Sequence, residues 1–490
     1  MNVNFKHYNH LSFLNPFNFN KKNQFEYSYD FSSILNFSQK KLDVVAVTQV
    51  LNYGYILGDR TLIEDIKKSP WMAKPNQSNN TWEYFDLPSH QEKKLDINFI
   101  CNKLFDELKN ELKQYINDKV NIGFLLTGGM DSRIVAAVLS NILKDNSYNK
   151  ITVHTFTWGD THSRDVVYAK QISNLYNWKW KHLNIDDEQL KENINFTIDN
   201  GCEFSPIHLH AMSKLNHFAN LDCVLAGSFG DSIGRGEYSG KKVLNIKPLN
   251  ANFKNSLSLL NNEIYKKFIE SSNQDILHYQ NQFPQEKNYQ QIEQDYQLHY
   301  MRRMLNPCFK VISEQTPVYQ MFSSPQVFGF MWSVHPSLRT DDIYYNILKN
   351  ESPELLDIPW ARTGLPFPDT NGTPDNYNDK TIDYGSLIRK SFLIEIENEL
   401  LNGSLIKKNI ISSKRIKSII RLIRLKPIDK SYFFEDKLIW LYCLQKFINQ
   451  NNLSLKTYKN NFRTNKELIK EYYLRLVFYK YKKKIKQYLK

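Results

Sequence analysis

The sequence predicts an α/β protein whose core is a parallel, doubly wound sheet, with an irregular N-terminal region and a largely helical C-terminal part. Three observations support this prediction. Between residues 96 and 226, short apolar runs alternate with segments of helical spacing, as in a parallel sheet whose strands are joined by helices. Two of the apolar runs are followed at once by glycine turns. From about Leu249 onward, helical spacing dominates.

The elements of the α/β part can be predicted in chain order. Leu104, Leu108, Leu112 and Ile116 recur every four residues, which predicts an amphipathic helix. The elements predicted after it are a strand at 122–126, a helix at 134–143, a strand at 151–156, a helix at 165–176, and strands at 180–185 and 223–226. Before residue 90 the sequence is irregular, with strand-like runs at 44–47 and 53–57.

The most informative segment follows the strand predicted at 122–126. Thr127, Gly128 and Gly129 form a turn, and Asp131 and Ser132 stand at the start of the next helix. Two glycines tolerate a tight turn, and the unpaired N–H groups of a helix N-terminus bind anions. Thr127 and Ser132 add hydroxyl donors. Asp131 would repel a phosphate, so the segment predicts a Mg²⁺ ion between them.

This segment differs from other phosphate-binding motifs. The chain has no Gly-x-x-x-x-Gly-Lys-Ser/Thr sequence and no Gly-x-Gly-x-x-Gly after a strand. These absences argue against a Walker-type loop and against a dinucleotide site. The plainer alternative is that Gly128 and Gly129 only turn the chain, with Asp131 and Ser132 capping the helix.

A second glycine-rich turn follows the strand predicted at 223–226. Gly227, Ser228 and Gly230 lead into Asp231, an acid that can face phosphates or a metal ion. By itself, this pattern is also typical of a plain turn.

Thr127 to Ser132 resembles the SGGxDS pyrophosphate loop of the ATP pyrophosphatase, or PP-loop, superfamily, with Thr in place of the first Ser. Within that superfamily the surrounding sequence resembles the asparagine synthetase family, over about residues 96–240 and more weakly over 302–364. The order and spacing of the two glycine turns favour this resemblance over coincidence. It implies an adenine nucleotide alpha-hydrolase-like fold, with ATP at the carboxyl ends of the strands.

The resemblance also implies the residues of an ATP site. Phe156 lies on the strand that would contact the adenine, and Asp165 would open the following helix. Asp131 and Asp231 would hold Mg²⁺. The residues implied to bind ATP are Thr127, Gly128, Gly129, Asp131, Ser132, Phe156, Gly227, Ser228 and Gly230.

The chain departs from the family pattern at three places. Ser232 stands where the family has a Glu after the acid of the second loop. Glu314 resembles the family's catalytic Glu, but it is one residue closer to Pro317 than is usual. No lysine clearly matches the family's pyrophosphate-contacting lysine. Lys310 and Lys349 are candidate substitutes, although surface positions would explain both.

The resemblance suggests a division into four regions. Residues 1–90 would be a degenerate amidotransferase-like remnant or an unrelated cap, because Asn2 stands where glutamine-dependent members have their nucleophilic Cys. Residues 91–250 would be the PP-loop ATP-binding synthetase domain and 251–400 its helical part. Residues 401–490 would be a basic helical tail.

The function implied by the resemblance is that of an asparagine synthase-like, AMP-forming ligase without intrinsic glutaminase activity. It would adenylate a carboxylate and form an amide with ammonia or an amine, using ATP and Mg²⁺, with Glu314 and Asp231 as catalytic residues. Aspartate, and so asparagine biosynthesis, is the family default, but the altered motifs argue against a housekeeping asparagine synthetase. A separate glutaminase could supply ammonia. The alternatives are an ATP-binding pseudoenzyme and a tRNA-modifying PP-loop enzyme.

The positive charge is concentrated near the C-terminus. The formal net charge is +13, Lys and Arg alternate with Ile and Leu between residues 414 and 426, and the last eleven residues contain six lysines. A basic amphipathic helix can lie on anionic lipid or bind phosphate backbones, and a solvated tail would explain the pattern as well. Contact with a membrane surface is the partner prediction, and nucleic acid is not expected.

No targeting or membrane-spanning segment is predicted. The N-terminus lacks a basic and apolar leader, and no run of eighteen uncharged apolar residues occurs. The five cysteines are scattered without Cys-x-x-Cys or zinc spacing. These features predict a cytoplasmic protein with reduced thiols, with peripheral contact at the inner membrane face as an open alternative.

Overall fold

The computed structural model describes residues 15–462, except positions 22–23, 77, 219, 253–254, 256–257, 370, 380 and 426–431. The strands are β1 (Phe17–Lys21), β2 (Gln24–Ser28), β3 (Lys67–Lys68), β4 (Ala73–Asn76), β5 (Thr81–Tyr84), β6 (Asn121–Leu125), β7 (Thr152–Trp158), β8 (Lys179–Leu183), β9 (Cys223–Ala226) and β10 (Val318–Tyr319). The helices are α1 (Phe31–Leu35), α2 (Val44–Tyr53), α3 (Ile97–Ile116), α4 (Met130–Leu143), α5 (Arg164–Leu175), α6 (Asp187–Asp199), α7 (Gly240–Val243), α8 (Asn262–Gln282), α9 (Asn288–Asp295), α10 (Lys310–Ser313), α11 (Pro325–Ser333), α12 (Asp341–Glu351), α13 (Tyr384–Ser391), α14 (Leu393–Asn402), α15 (Ser404–Lys407), α16 (Ser413–Leu425) and α17 (Phe433–Gln450). Two π-helical segments, Asp231–Arg235 and Tyr296–Leu305, lie between them.

The central sheet has five parallel strands in the order β10-β9-β6-β7-β8. The chain starts in the middle, at β6, moves outward through β7 and β8, and then returns to β9 on the other side. The strand order therefore reverses between β6 and β9. In open α/β sheets, ligands bind beside the carboxyl ends of the strands at such a reversal.

The two faces of this sheet pack against different parts of the chain. Phe124 and Leu225 belong to an apolar cluster with α3, α4 and α12. Leu125, Phe156 and Ala226 belong to a second cluster, which the turns at 206–217 and 306–313 complete. Successive side chains of a strand alternate between the faces, so the apolar run of β6 fills both clusters. The prediction of a parallel, doubly wound sheet is therefore confirmed.

The predicted elements of the α/β part agree with the observed ones within a few residues, apart from the earlier start of α3, but the two strand-like runs before residue 90 are not strands. Strand β10 was not among the predicted elements, because a two-residue strand leaves no periodic pattern. The prediction of a strand at 44–47 is wrong, since these residues begin helix α2. Asp43 caps that helix by accepting bonds from the N–H groups of Val45 and Ala46. The valines are buried in a cluster, so tertiary packing overrides their preference for strands.

The strand-like run at 53–57 is also absent from the structure. Helix α2 ends at Tyr53, because Gly54 takes a left-handed conformation with φ of 89°. The N–H groups of Leu57 and Gly58 then donate to the side chains of Gln49 and His299 rather than to a neighbouring strand.

The N-terminal region and the C-terminal helices share one apolar core. Phe17, Val47 and Ile63 lie in the same cluster as Ile420 and Trp440. The N-terminal strands form a small antiparallel sheet in the order β2-β1-β3 and a β4-β5 hairpin. The division at residues 90, 250 and 400 stays a prediction, and residues of the segments 404–425 and 432–458 are buried in this shared core.

Helix α16 contains the basic run predicted from residue 414 onward. Its isoleucines Ile416, Ile419, Ile420 and Ile423 are buried in the shared core, so they are not free to insert into lipid. Its cationic side chains are on the outside. The lysine-rich residues after 462 lie outside the described part of the chain, so membrane contact stays a prediction. In the described residues, no helix has both the length and the apolar character needed to cross a bilayer.

Candidate active site

A cavity of about 430 Å³ lies beside the carboxyl ends of β6, β7 and β9. Its lining combines apolar side chains such as Met212 and Phe309 with polar groups from the two glycine turns. The predicted residues that line it are Thr127, Gly129, Asp131, Ser132, Phe156, Gly227 and Ser228. The structure therefore brings most of the predicted ATP-binding residues to one place.

The first turn presents the beginning of helix α4 to this cavity. The Gly129 N–H donates to Thr127 Oγ1 at 3.1 Å, and the Thr127 N–H donates to Ser132 Oγ at 3.3 Å. Gly129 is the N-cap of α4, and no side chain caps the helix there. The first N–H groups of the helix therefore remain available to an anion, which the positive end of the helix dipole also favours.

Gly128 does not line the cavity. It holds the first turn in place through its contacts with neighbouring segments. Its N–H donates to the carboxylate of Asp165, which also accepts a 2.8 Å bond from Thr381 Oγ1. A Cβ at Gly128 would lie 2.9 Å from Ala361 Cβ and 3.0 Å from the Tyr168 ring. Only glycine allows this close approach. Burial raises the pKa of Asp165.

The second turn packs directly against Asp131. A Cβ at Gly227 would lie 3.1 Å from the Asp131 carbonyl carbon, and a Cβ at Gly230 would lie 2.7 Å from Asp131 Cγ. Gly230 is therefore needed for the contact between the two turns, and it does not line the cavity. The Asp231 N–H donates to the Asp131 carboxylate, which joins the two turns by a hydrogen bond as well.

A buried arginine that the sequence analysis missed lies between the two aspartates. Arg235 Nη2 is 2.5 Å from Asp231 Oδ1 and 3.3 Å from Asp131 Oδ1. Burial and the neighbouring Asp231 raise the pKa of Asp131 to about 7, although Arg235 acts in the opposite direction. The available signal was the position of Arg235 four residues after Asp231, which puts both on one face of a helical turn.

A second arginine, Arg362, contacts Asp231, although it does not itself line the cavity. Arg362 Nη2 is 3.3 Å from Asp231 Oδ2, and its guanidinium stacks 4.7 Å from the centre of the Trp360 ring. Its side chain is 53% exposed. The family pattern implied a lysine in this region, so the sequence did not indicate Arg362. Neither lysine proposed there lines the cavity.

Those two lysines have other surroundings. Lys310 Nζ donates to the Tyr29 carbonyl at 2.8 Å and to Asn200, beside a separate, much smaller cavity. Lys349 is exposed on α12.

The loop that carries Arg362 is fastened to the first turn by Arg133. This buried guanidinium donates to the carbonyls of Leu355, Ile358 and Pro359 and to that of Gly128. Arg133 is therefore a structural residue, which ties the segment at 355–362 to the first turn. Burial lowers its pKa to about 9.

The structure does not bring Glu314 to the cavity. It follows α10, its carboxylate lies 3.9 Å from Lys310, and it does not line the cavity. Burial raises its pKa, and its side chain is 45% exposed. Asp30 of the N-terminal segment is close enough for its charge to raise the pKa of Glu314 further. Its position gives no support to a role as proton acceptor.

Two histidines line the cavity where the sequence analysis proposed none. Burial lowers the pKa of His210 to about 3 and also lowers that of His208, so both rings are neutral at neutral pH. His210 Nδ1 is 2.8 Å from the Tyr384 hydroxyl, and its ring stacks on Trp158 with centres 5.4 Å apart. Their spacing, His-x-His after Pro206, carries no signal that distinguishes them from core histidines.

The residues predicted to hold Mg²⁺ are paired with other side chains. The two predicted ligands, Asp131 and Asp231, are both ion-paired with Arg235. Ser232, which stands where a further acid was expected, is buried and donates to Glu237 at 3.3 Å. Among the described residues, no group of three His, Cys, Asp or Glu side chains is arranged to hold a metal ion.

Comparison with known proteins gives one family match. Residues 103–324 match the sequence model of the family described as asparagine synthase. This range contains both glycine turns and strands β6 to β10. The predicted resemblance is confirmed for this segment.

Other comparisons add little. The U34-tRNA thiolase NcsA from Methanococcus maripaludis, solved with its 4Fe-4S cluster, is 11% identical, with 59% of this chain and 88% of that chain covered at a TM-score of 0.21. A likeness at this TM-score supports no inference about this chain. Among curated proteins, no match was found.

Proposed function

We propose that this chain, whose residues 103–324 form an asparagine synthase domain, is an ATP-dependent enzyme that adenylates a carboxylate and then forms an amide. One observation carries the proposal. The two glycine turns meet at a single cavity, beside the uncapped N-terminus of α4 and the strand-order reversal between β6 and β9. This is the arrangement that a nucleotide with a chain of phosphates requires.

The cavity has two kinds of wall, which suit the two ends of ATP. Phe156, Met212 and Phe309 form an apolar wall for the adenine. Thr127 and Ser132, with the first N–H groups of α4, would bind the phosphates.

The charges around the site suit the release of pyrophosphate. In the first step, an oxygen of the substrate carboxylate would attack the α-phosphorus, and the bond to the pyrophosphate oxygen would break. The products are an acyl-adenylate and pyrophosphate. Arg362 is half-exposed and beside Asp231, so its guanidinium would neutralise the leaving pyrophosphate.

In the second step, a nitrogen nucleophile would attack the acyl carbon and displace AMP. The nucleophile loses a proton as the amide forms. His208 lines the cavity as a neutral ring, so it is our candidate for accepting that proton, in place of Glu314. Ammonia, an amine, or ammonia from a separate glutaminase would serve equally in this scheme.

An ATP-binding pseudoenzyme is the second candidate. The pairing of Asp131 and Asp231 with Arg235 favours it, because both predicted metal ligands are engaged by the protein itself. The first glycine turn, which is complete, and the cavity beside it favour an active enzyme instead.

Pyrophosphate release from ATP and Mg²⁺, screened over carboxylates with ammonia, tests the proposal. We expect release that depends on one class of carboxylate and falls by about a hundredfold or more in Asp131→Asn, whereas Lys349→Ala, which removes an exposed cation, leaves it unchanged. Binding of ATP by calorimetry without any release over the screen would favour the pseudoenzyme. Absence of ATP binding would refute both candidates.

A further inference from the structure

Arg235 has an environment that is unusual for a cation at a phosphate site. Its side chain is only 2% exposed, and its guanidinium stacks 4.7 Å from the centre of the Tyr344 ring. It contacts three carboxylates, those of Asp131, Asp231 and Asp341. The π-helical turn at Asp231–Arg235 brings Arg235 back over Asp231, so both belong to one rigid unit.

The position of this guanidinium coincides with that of the cation which the sequence predicted. A Mg²⁺ ion between Asp131 and Asp231 would need their oxygens at about 2.0–2.1 Å in octahedral geometry. The facing oxygens, Asp131 Oδ1 and Asp231 Oδ1, are already within 3.3 Å and 2.5 Å of Arg235 Nη2. A divalent ion in the same gap would lie beside a fixed positive charge, which repels it.

The surrounding packing holds the Arg235 side chain in this position. Tyr344 lies on one side of the guanidinium, and Asp341 at the start of α12 binds its second nitrogen. On the other side of Asp131, the backbone of Gly230 is so close that a Cβ would come within 2.7 Å of Oδ1. The Arg235 guanidinium is therefore part of the packed structure, and the two glycine turns meet around it.

We propose that the Arg235 guanidinium takes the place of a protein-bound divalent cation between Asp131 and Asp231, and holds the two phosphate-binding turns together without a metal ion. The identification of these turns as phosphate-binding rests on the proposed function. The ion pairing itself does not. In this arrangement, divalent cations reach the site only as counter-ions of the nucleotide.

Binding of Mn²⁺ without nucleotide tests this proposal on the full chain. Free Mn²⁺ is followed by electron paramagnetic resonance during titration with the wild type, Arg235→Met, and the double variant Arg235→Met/Asp131→Asn. We expect the wild type to have no Mn²⁺ site that depends on Asp131. Arg235→Met should gain about one ion per chain, and the double variant should lose it again.

Two further variants serve as controls. Arg424→Met removes a guanidinium from the surface, where its partner is Glu397, and should gain no site. Arg235→Lys keeps a positive charge and should exclude Mn²⁺ as the wild type does. If Arg235→Met does not fold, as judged by circular dichroism, the wild type and Arg235→Lys still decide the question.

Two results would overturn the proposal. One is Mn²⁺ binding by the wild type that Asp131→Asn removes, and the other is a folded Arg235→Met that gains no site. Because no nucleotide is present, these results are independent of pyrophosphate release. A chain that releases pyrophosphate can fail this test, and a chain that releases none can pass it.

Discussion

A single methyl group at Gly230 should separate the two glycine turns. The Cβ of an alanine there would lie 2.7 Å from Asp131 Cγ, whereas an ordinary contact begins at 3.4 Å, so the turns must move apart by about 0.7 Å. The backbone at Gly230 is in the right-handed helical region, with φ of −58° and ψ of −46°, so alanine adds no backbone strain. The effect of Gly230→Ala is therefore steric.

The magnitude follows from two opposing contributions. Overpacking costs about 1–3 kcal/mol, whereas replacing glycine by alanine in a helical conformation stabilises by about 0.4–1 kcal/mol through the unfolded chain. We expect Gly230→Ala to lower the free energy of unfolding by about 1 kcal/mol. We also expect a loss of about tenfold or more in pyrophosphate release, because displacement of a phosphate-binding turn by a fraction of an ångström disturbs the alignment of the reacting groups.

Gly234 provides the matched control. It lies in the same π-helical segment, and a Cβ there would meet nothing closer than the Tyr344 hydroxyl at 3.5 Å. Gly234→Ala should therefore keep full activity and equal or exceed the wild type in stability. Both variants are compared by urea unfolding and by pyrophosphate release. Equal behaviour of the two variants would refute the close contact between the second turn and Asp131.

The remaining predictions concern the arginines and carboxylates around the site. Arg362→Ala should raise the KM for ATP by about tenfold, since it would remove the proposed charged contact to the phosphates, and Lys349→Ala should not. Glu314→Gln should change pyrophosphate release by less than about twofold, because Glu314 does not line the cavity, and a large loss would contradict the assigned position. Arg133→Met should lower the free energy of unfolding by about 3 kcal/mol or more, measured in urea, because four carbonyl oxygens lose their donor. Although burial raises the pKa of Glu293, Arg339 and His90 hold this pKa at about 2. The ionised carboxylate therefore contributes about 3 kcal/mol to the free energy of unfolding above pH 4.5, and this contribution is lost as the pH falls toward 2. Urea unfolding of the wild type should show this loss, and Glu293→Gln should show a smaller one, whereas parallel pH profiles would count against the buried Glu293–Arg339 pair.

The fold of the α/β part could be predicted because its elements have strong local patterns. The apolar run of β6 and the four-residue spacing of α3 are visible in the sequence. The observed bounds of β6 differ from the predicted ones by one residue, whereas α3 begins seven residues before Leu104. The prediction of a strand at 44–47 is wrong because the local pattern of this run is misleading. Its valines favour a strand locally, but the Asp43 cap and burial against the C-terminal helices make it a helix.

The sequence by itself determined the two glycine turns and most of the cavity lining, because turn chemistry is local. Gly128, Gly227 and Gly230 are needed where the backbone must approach another element, and such positions tolerate few other residues. Their order along alternating strands and helices was enough to predict a phosphate site at one edge of the sheet.

Only the tertiary structure decided which charges meet there. Arg235 is 104 residues from Asp131, and Arg362 is 131 residues from Asp231, so no local pattern connects them. Glu314 has a plausible sequence position, yet a single turn of α10 carries it toward Lys310. Electrostatic contacts depend on distances between distant segments of the chain, and packing sets those distances after the local elements have formed.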